Sequence, residues 1–396
     1  MAVNKFDNSM LDAGTIGTTA NKLLQLDGST KIPAVDGSLL TGIPSSFTKS
    51  ASDPVITTNP SGGVGTIWAN TTSGEVYCCT DATAGANVWT NVGAGSDNVA
   101  PYYFHSCTTY GFSGIGYTDA AGNHNSIDRI AFASDGNATD QGDPTVARRG
   151  NSSSSSTTHA YCGAGYSSSY TNIIDKFAMA SPANSTDVGD LTGTGAYGAG
   201  MTSTGYGYKA GKDTGASTVI DRYSHTSDGN STNWGTLSAG RDTALGGSSE
   251  THGYILGAGG GGTTIQKQID KISFASAGTS TDIGDLITVK SPAGVQSTVG
   301  YIYATGNRSP YATTIQKIST TSDGNAVERG TDTLTLSKAN VSSGFSSSTY
   351  GYEAGGSEPG SYSNSIAKFA FATTADSTNV GDLSIGRGEG PLEGQY

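Results

Sequence analysis

The sequence predicts an all-β chain whose larger part is six consecutive copies of one small unit, and three observations carry that prediction. A small residue followed by an aromatic recurs as Gly111-Phe112, Ala160-Tyr161, Gly207-Tyr208, Gly253-Tyr254, Gly300-Tyr301 and Gly351-Tyr352, the aromatics advancing by 49, 47, 46, 47 and 51 residues. A second motif keeps step with the first: Ile127-Asp128-Arg129, Ile174-Asp175-Lys176, Ile220-Asp221-Arg222, Ile269-Asp270-Lys271, Ile315-Gln316-Lys317 and Ile366-Ala367-Lys368. Composition supplies the third: with 58 Gly, 20 Tyr and only 34% hydrophobic residues, short glycine-turned strands are favoured over long amphipathic helices. A period of about 48 residues holds the four short strands of one propeller blade, so residues 98–396 are expected to form a six-bladed β-propeller.

Residues 1–50 lie outside the repeat. Their turn pairs Asp27-Gly28 and Asp36-Gly37, with Pro33 and Pro44, argue against helix, and their low apolar content predicts an extended segment. Residues 51–97 form a second block, with strands expected at Thr66–Ala69, Glu75–Cys79 and Asn87–Asn91 around a turn at Thr71-Thr72-Ser73-Gly74. A β module this small needs large apolar residues to cohere, so Trp68 and Trp89 read as core rather than as a carbohydrate platform.

Within each copy from residue 98 onward, a strand around the small-aromatic pair is followed by a turn, glycine-rich at 257–262, and then by a strand such as Ile269–Ala275. Asp285-Leu286 is expected to lead into a last strand toward the next copy. The first copy begins abruptly near Pro101–Phe104, which predicts that a C-terminal strand near Gln395-Tyr396 completes it and hides its edge. The copies alternate. Copies one, three and five carry Asp135-Gly136-Asn137, Asp228-Gly229-Asn230 and Asp323-Gly324-Asn325, whereas two, four and six carry Gly189-Asp190-Leu191, Gly284-Asp285-Leu286 and Gly381-Asp382-Leu383. Spacings of 93 to 97 residues between like motifs imply duplication as a pair.

Charge narrows the partners. A net charge of −12 repels phosphate backbones and disfavours nucleic acid. No apolar run approaches a membrane span, and no basic-then-apolar leader opens the chain. Only 7 of the 33 acidic residues are Glu, so the acids are mostly turn-forming Asp. Cys78, Cys79, Cys107 and Cys162 show neither metal spacing nor a disulfide framework, and Cys162 aligns with Ser113.

The candidate chemistry is thin. Gly257-x-Gly259-x-x-Gly262 has the letters of a dinucleotide fingerprint but no helix after it. Asp128, Asp175, Asp221 and Asp270 each precede a cation that points to the opposite strand face, and copies five and six hold Gln316 and Ala367 instead; hydrogen bonding between blades is the expected role. The Asp-Gly-Asn turns offer calcium too few oxygens and read as turn chemistry. His159 and His252, in equivalent places two copies apart, read as packing residues. Catalytic, cofactor and metal residues are therefore expected to be absent. The surplus of Tyr, Ser, Asn and Gly suits recognition surfaces, and the loops Tyr166–Tyr170 and Tyr362–Asn364 are singled out as binding a cell-surface ligand through Tyr166, Tyr170, Tyr362 and Asn364.

The run Leu24-Gln25-Leu26-Asp27-Gly28 through Lys31, Pro33-Ala34, Asp36-Gly37, Leu40-Thr41 and Pro44 resembles a segment near the start of bacteriophage tail-fibre proteins. Residues 51–96 resemble a small module in fibre proteins of marine, cyanophage-like viruses, and the small-aromatic strands resemble kelch-type propellers, though without a Gly-Gly pair in every copy. These resemblances imply a virion protein assembled in the host cytoplasm and exposed on the tail or capsid. Residues 1–50 would be its virion-attachment stalk, of a kind often trimeric, 51–97 an adaptor, and 98–396 a receptor-binding head for a bacterial surface glycan or protein. A structural decoration protein is the second expectation. A glycan-cleaving tailspike is the third, and it lacks a distinctive acidic pair.

Overall fold

The structure is a computed structural model, and it describes residues 47–92, 109–213, 215–258, 266–287, 294–306, 312–338, 343–358, 360–389 and 394–395. The segments 1–46 and 93–108, which hold the fibre-like run and Cys107, lie outside the described residues, as does most of the glycine-rich stretch 257–262. Two compact units divide the chain at residue 101. Every regular element among the described residues is a strand.

The first unit holds one four-stranded sheet in the order Phe47–Ser50, Ile67–Asn70, Val76–Asp81, Val88–Asn91. The first pair is parallel and the others antiparallel. Phe47–Ser50, which sequence alone assigns to the stalk, is therefore part of the module. Alternation decides its core: Cys79 and Trp89 are fully buried beside Tyr77, while Cys78 faces the other way, half-buried. Trp68 meets Trp89 edge-on at 5.8 Å. The long loop before the second strand is pinned by buried Asn87, whose Nδ2 donates to Ile56 O and Asn59 Oδ1, and by Trp89 Nε1, which donates to Thr58 O. Both tryptophans serve the core.

The second unit is a succession of small antiparallel sheets, one per sequence repeat. Sheet two is typical: in spatial order its strands are Ser152–Ser155, His159–Tyr166, Tyr170–Ala178 and Thr186–Gly195. Sheets three to six repeat this order, with first strands Ala199–Thr202, Leu245–Ser248, Gly294–Ser297 and Ser343–Ser346. The small-aromatic pair lies on the second strand in five sheets, but in sheet five Gly300 precedes the strand Tyr301–Thr305 and Ile302-Tyr303 takes the matching place. The Ile-Asp motif lies on the third strand, paired in register, Cys162 opposing Asp175 as Ser113 opposes Asp128. The first strand of each of sheets two to five lies against that of the next, and that of sheet six lies against sheet one. In sheet one, Gly394–Gln395 takes the first place, pairing with Tyr110–Thr118 as Gly394 opposite Phe112.

Sequence and structure differ over Gly-Asp-Leu. Asp285 ends the fourth strand, Thr281–Asp285, instead of leading into the next copy. The physical reason is a bulge: pairing slips between Ile269 and Asp270, and Gly284 takes the slack at φ 149°. The glycine also touches the next sheet. A Cβ on Gly189 would meet Gly229 O at 2.4 Å, and one on Gly381 would meet Gly136 O at 2.0 Å.

This contact explains the two kinds of repeat. The Asp-Gly-Asn turn of each odd sheet is gripped by the even sheet before it. Asn230, Asn325 and Asn137 accept the backbone N–H of Asp190, Asp285 and Asp382. Lys176, Lys271 and Lys368 pair with Asp228, Asp323 and Asp135 at 2.5, 2.5 and 2.6 Å. In the odd sheets the equivalent cation packs on the tyrosine that opens the second strand: Arg129 over Tyr110, Arg222 over Tyr206 and Lys317 over Tyr301.

Candidate functional site

The repeated aspartates set the site up. Asp128, Asp175 and Asp270 are fully buried and Asp221 nearly so. Asp221 bonds to the neighbouring sheet, accepting from the Thr192 hydroxyl on the fourth strand of sheet two at 2.6 Å; the other three hold the connection that enters their own sheet. Asp175 accepts from the N–H and hydroxyl of Thr145 and pairs with Arg148 at 2.7 Å. Asp270 accepts from Ser238 and Ser280 and pairs with Arg241 at 3.2 Å, while Asp128 accepts from Ser384 and pairs with Arg387. A buried charge without a partner costs several kcal/mol, so each pair fixes its connection in place. Sheet three has Gly195 where the arginine would be; there Lys209 lies opposite Asp221, burial lowering the ammonium to about 8 and raising the carboxyl. In sheet six the carboxylate has moved across the register, with Glu353 opposite Ala367.

Just beyond these anchors the backbone turns left-handed at Gly150, Tyr197, Thr243 and Glu389. For the three non-glycine residues that conformation costs about 1–3 kcal/mol each, and the anchored connections hold it. Two of them meet: Tyr197 donates its hydroxyl to Glu389 Oε2 at 2.8 Å, and Arg149 Nε lies 3.1 Å from the same oxygen. The backbone joins them too, Gly150 N donating to Glu389 O and Tyr197 N to Gly150 O.

Arg149 is the hub. Its guanidinium lies over Tyr117 at 4.7 Å and over Tyr166 at 5.2 Å. Tyr117 meets Tyr362 edge-on at 5.8 Å, and Tyr166 meets Tyr170 at 5.1 Å. Tyr170 donates to Asp213 Oδ2 at 2.9 Å, and Asp119 accepts the Tyr362 N–H. Burial opposes the charge on Arg149, but Tyr197 and Glu389 outweigh it and its pKa rises. Burial, followed by Glu389 and Asp119, pushes Tyr362 up to about 12; burial also raises Tyr197, and the bond to Asp213 raises Tyr170. At neutral pH these three tyrosines present un-ionised hydroxyls. One cation and three carboxylates surround five partly exposed rings. Such a surface can stack the apolar face of a ring and exchange hydrogen bonds with its hydroxyls, and it repels polyanions.

Three of the four sequence-chosen residues thus come together. Tyr166 and Tyr170 flank a three-residue turn, and Tyr362 sits on the short hairpin Ser357–Glu358/Ser361–Tyr362, so they are strand ends rather than loop middles. Asn364 stays apart, exposed, its carbonyl accepting the Leu383 N–H. Sequence reading missed Tyr117, Arg149, Tyr197 and Glu389. A signal existed: Arg148, Arg241 and Arg387 each stand three residues after Ser or Thr in the same phase of the repeat.

His159 and His252 are half-buried against Thr158 and Thr251 hydroxyls at 2.8 Å, and burial lowers both pKa values. Cys78, Cys79 and Cys162 are free thiols. Among the described residues no group of three or more His, Cys, Asp or Glu is placed to hold a metal. No protein-family model matches the chain, and a search of curated proteins returns no match.

Proposed function

We propose that residues 98–396 form a six-bladed β-propeller serving as the receptor-binding head of a bacteriophage virion fibre, and that the tyrosine cluster around Arg149 binds a host-surface glycan without cleaving it. The observation that carries the binding role is the gathering of five tyrosines around Arg149 from distant parts of the sequence: Tyr117 and Tyr166 lie against its guanidinium, Tyr362 and Tyr170 meet those two rings, and Tyr197 shares its Glu389 partner. Six sheets in sequence order support the propeller, as does Gly394–Gln395 completing sheet one. The virion setting rests on the tail-fibre-like run in residues 24–44.

The test is saturable binding of labelled full-length protein to candidate host cells, in competition with intact virus. Replacing Tyr166 and Tyr170 by Ala is expected to weaken binding about tenfold or more, with the circular dichroism spectrum kept. If folded protein leaves adsorption untouched, the structural decoration role replaces this reading. New reducing ends from host polysaccharide would replace it with a tailspike.

A further inference from the structure

Three junctions run from an odd sheet to the even sheet after it, and each is spanned by the residue before a fourth-strand glycine. At the first, Gln141 Nε2 donates to Ala178 O and Ser181 O, at 2.9 and 2.8 Å. At the third, Arg329 donates to Ala370 O and Thr373 O, the carbonyls at the same two repeat positions. At the second the residue is Trp234, which has a single N–H. It donates to Ser273 O at 3.1 Å, the first of the two positions. The second position, Ser276, instead lines a pocket of about 170 Å³.

Sequence and packing make this junction open. The exposed segment 275–279 adds a short parallel strand, Gly278–Thr279, beside Gly235-Thr236. Trp234 and Ile272 give the pocket an apolar wall; His252, Ser276 and Thr279 give it polar groups. Arg222 covers one face of the Trp234 ring at 3.8 Å. Lys271 also lines the pocket, but its ammonium is already paired with Asp323 at 2.5 Å.

We propose that this pocket binds a single neutral pyranose. The sugar's apolar face rests on Trp234 and Ile272, and one of its hydroxyls donates to the Ser276 carbonyl. That hydroxyl takes the place of the second donor supplied by Gln141 and Arg329 at the other junctions. His252 and Thr279 meet the remaining hydroxyls. Because Asp323 neutralises Lys271, an acidic sugar gains nothing over a neutral one. This site stands on its own residues and does not depend on the cluster at Arg149.

Saturation-transfer NMR on the full chain with methyl glucoside, N-acetylglucosamine and glucuronate tests it. Saturable transfer to a neutral ring is expected, with binding about tenfold weaker in Trp234→Gln, which closes the junction as Gln141 does. His252→Ala, judged folded by its unchanged melting temperature, is expected to weaken binding as well and serves as the second readout. Absence of saturable transfer, binding by both variants as tight as that of the unmodified protein, or glucuronate binding about tenfold more tightly would each overturn the proposal.

Discussion

His225 shows how one buried side chain ties stability to pH. Its ring stacks on Tyr161 at 4.7 Å, and its Nε2 lies 3.0 Å from Ser154 Oγ, which also meets the Tyr223 hydroxyl. Burial alone pushes the imidazole from 6.5 down to about 3. Between those values the unfolded chain binds a proton that the folded chain refuses, so stability falls as pH drops through that window. One such group contributes a slope of at most about 1.4 kcal/mol per pH unit. Thermal melts from pH 7 to pH 4 are expected to fall more steeply for the native chain than for His225→Gln, which keeps a partner for Ser154 and adds no charge. Parallel slopes would mean that His225 protonates without penalty in the folded state.

At the level of the element, the even-to-odd grip combines two very different energies. The Lys176–Asp228 pair is 21% and 56% exposed, and pairs of that kind are worth about 0.2–1 kcal/mol. The glycine contact is steric. Gly189 sits at φ 153° with no room for a Cβ against Gly229 O, so Gly189→Ala both strains the backbone and pushes the sheets apart. Urea denaturation is expected to place Gly189→Ala about 2–3 kcal/mol below the native protein and Lys176→Ala within about 1 kcal/mol of it. The reverse order would make the ion pair, not the close approach, the principal grip.

For the whole molecule, sheet one depends on residues from the far end of the chain. Gly394–Gln395 covers the edge of Tyr110–Thr118, and Arg387 neutralises buried Asp128. Removing residues 391–396 is expected to expose that edge, lower the urea midpoint and produce association that grows with concentration, read by light scattering. The division of labour between sequence and structure follows the same line. The period, the second- and third-strand motifs and the all-β class were legible because side-chain alternation and glycine spacing are local properties. Phe47–Ser50 was misassigned because four residues carry too little pattern to show a parallel partner twenty positions away. Arg149 and Glu389 stayed hidden because their meaning lies in contacts between residues 240 apart, which no local window contains. Tyr166, Tyr170 and Tyr362 could be nominated from composition, but their company could not.

The even-to-odd grip also bears on how such a chain could arise. The duplicated pair of sheets runs from an odd copy to an even one, yet the grip runs from the even copy to the odd copy of the next pair. Each ancestral pair therefore carried a turn to be held at one end and the lysine and glycine that hold it at the other. Such a pair has complementary ends, the arrangement that suits head-to-tail contact with another copy of itself. Lys368 and Asp135 complete the series, making between the sixth sheet and the first the same contact that Lys176 and Asp228 make between the second and the third.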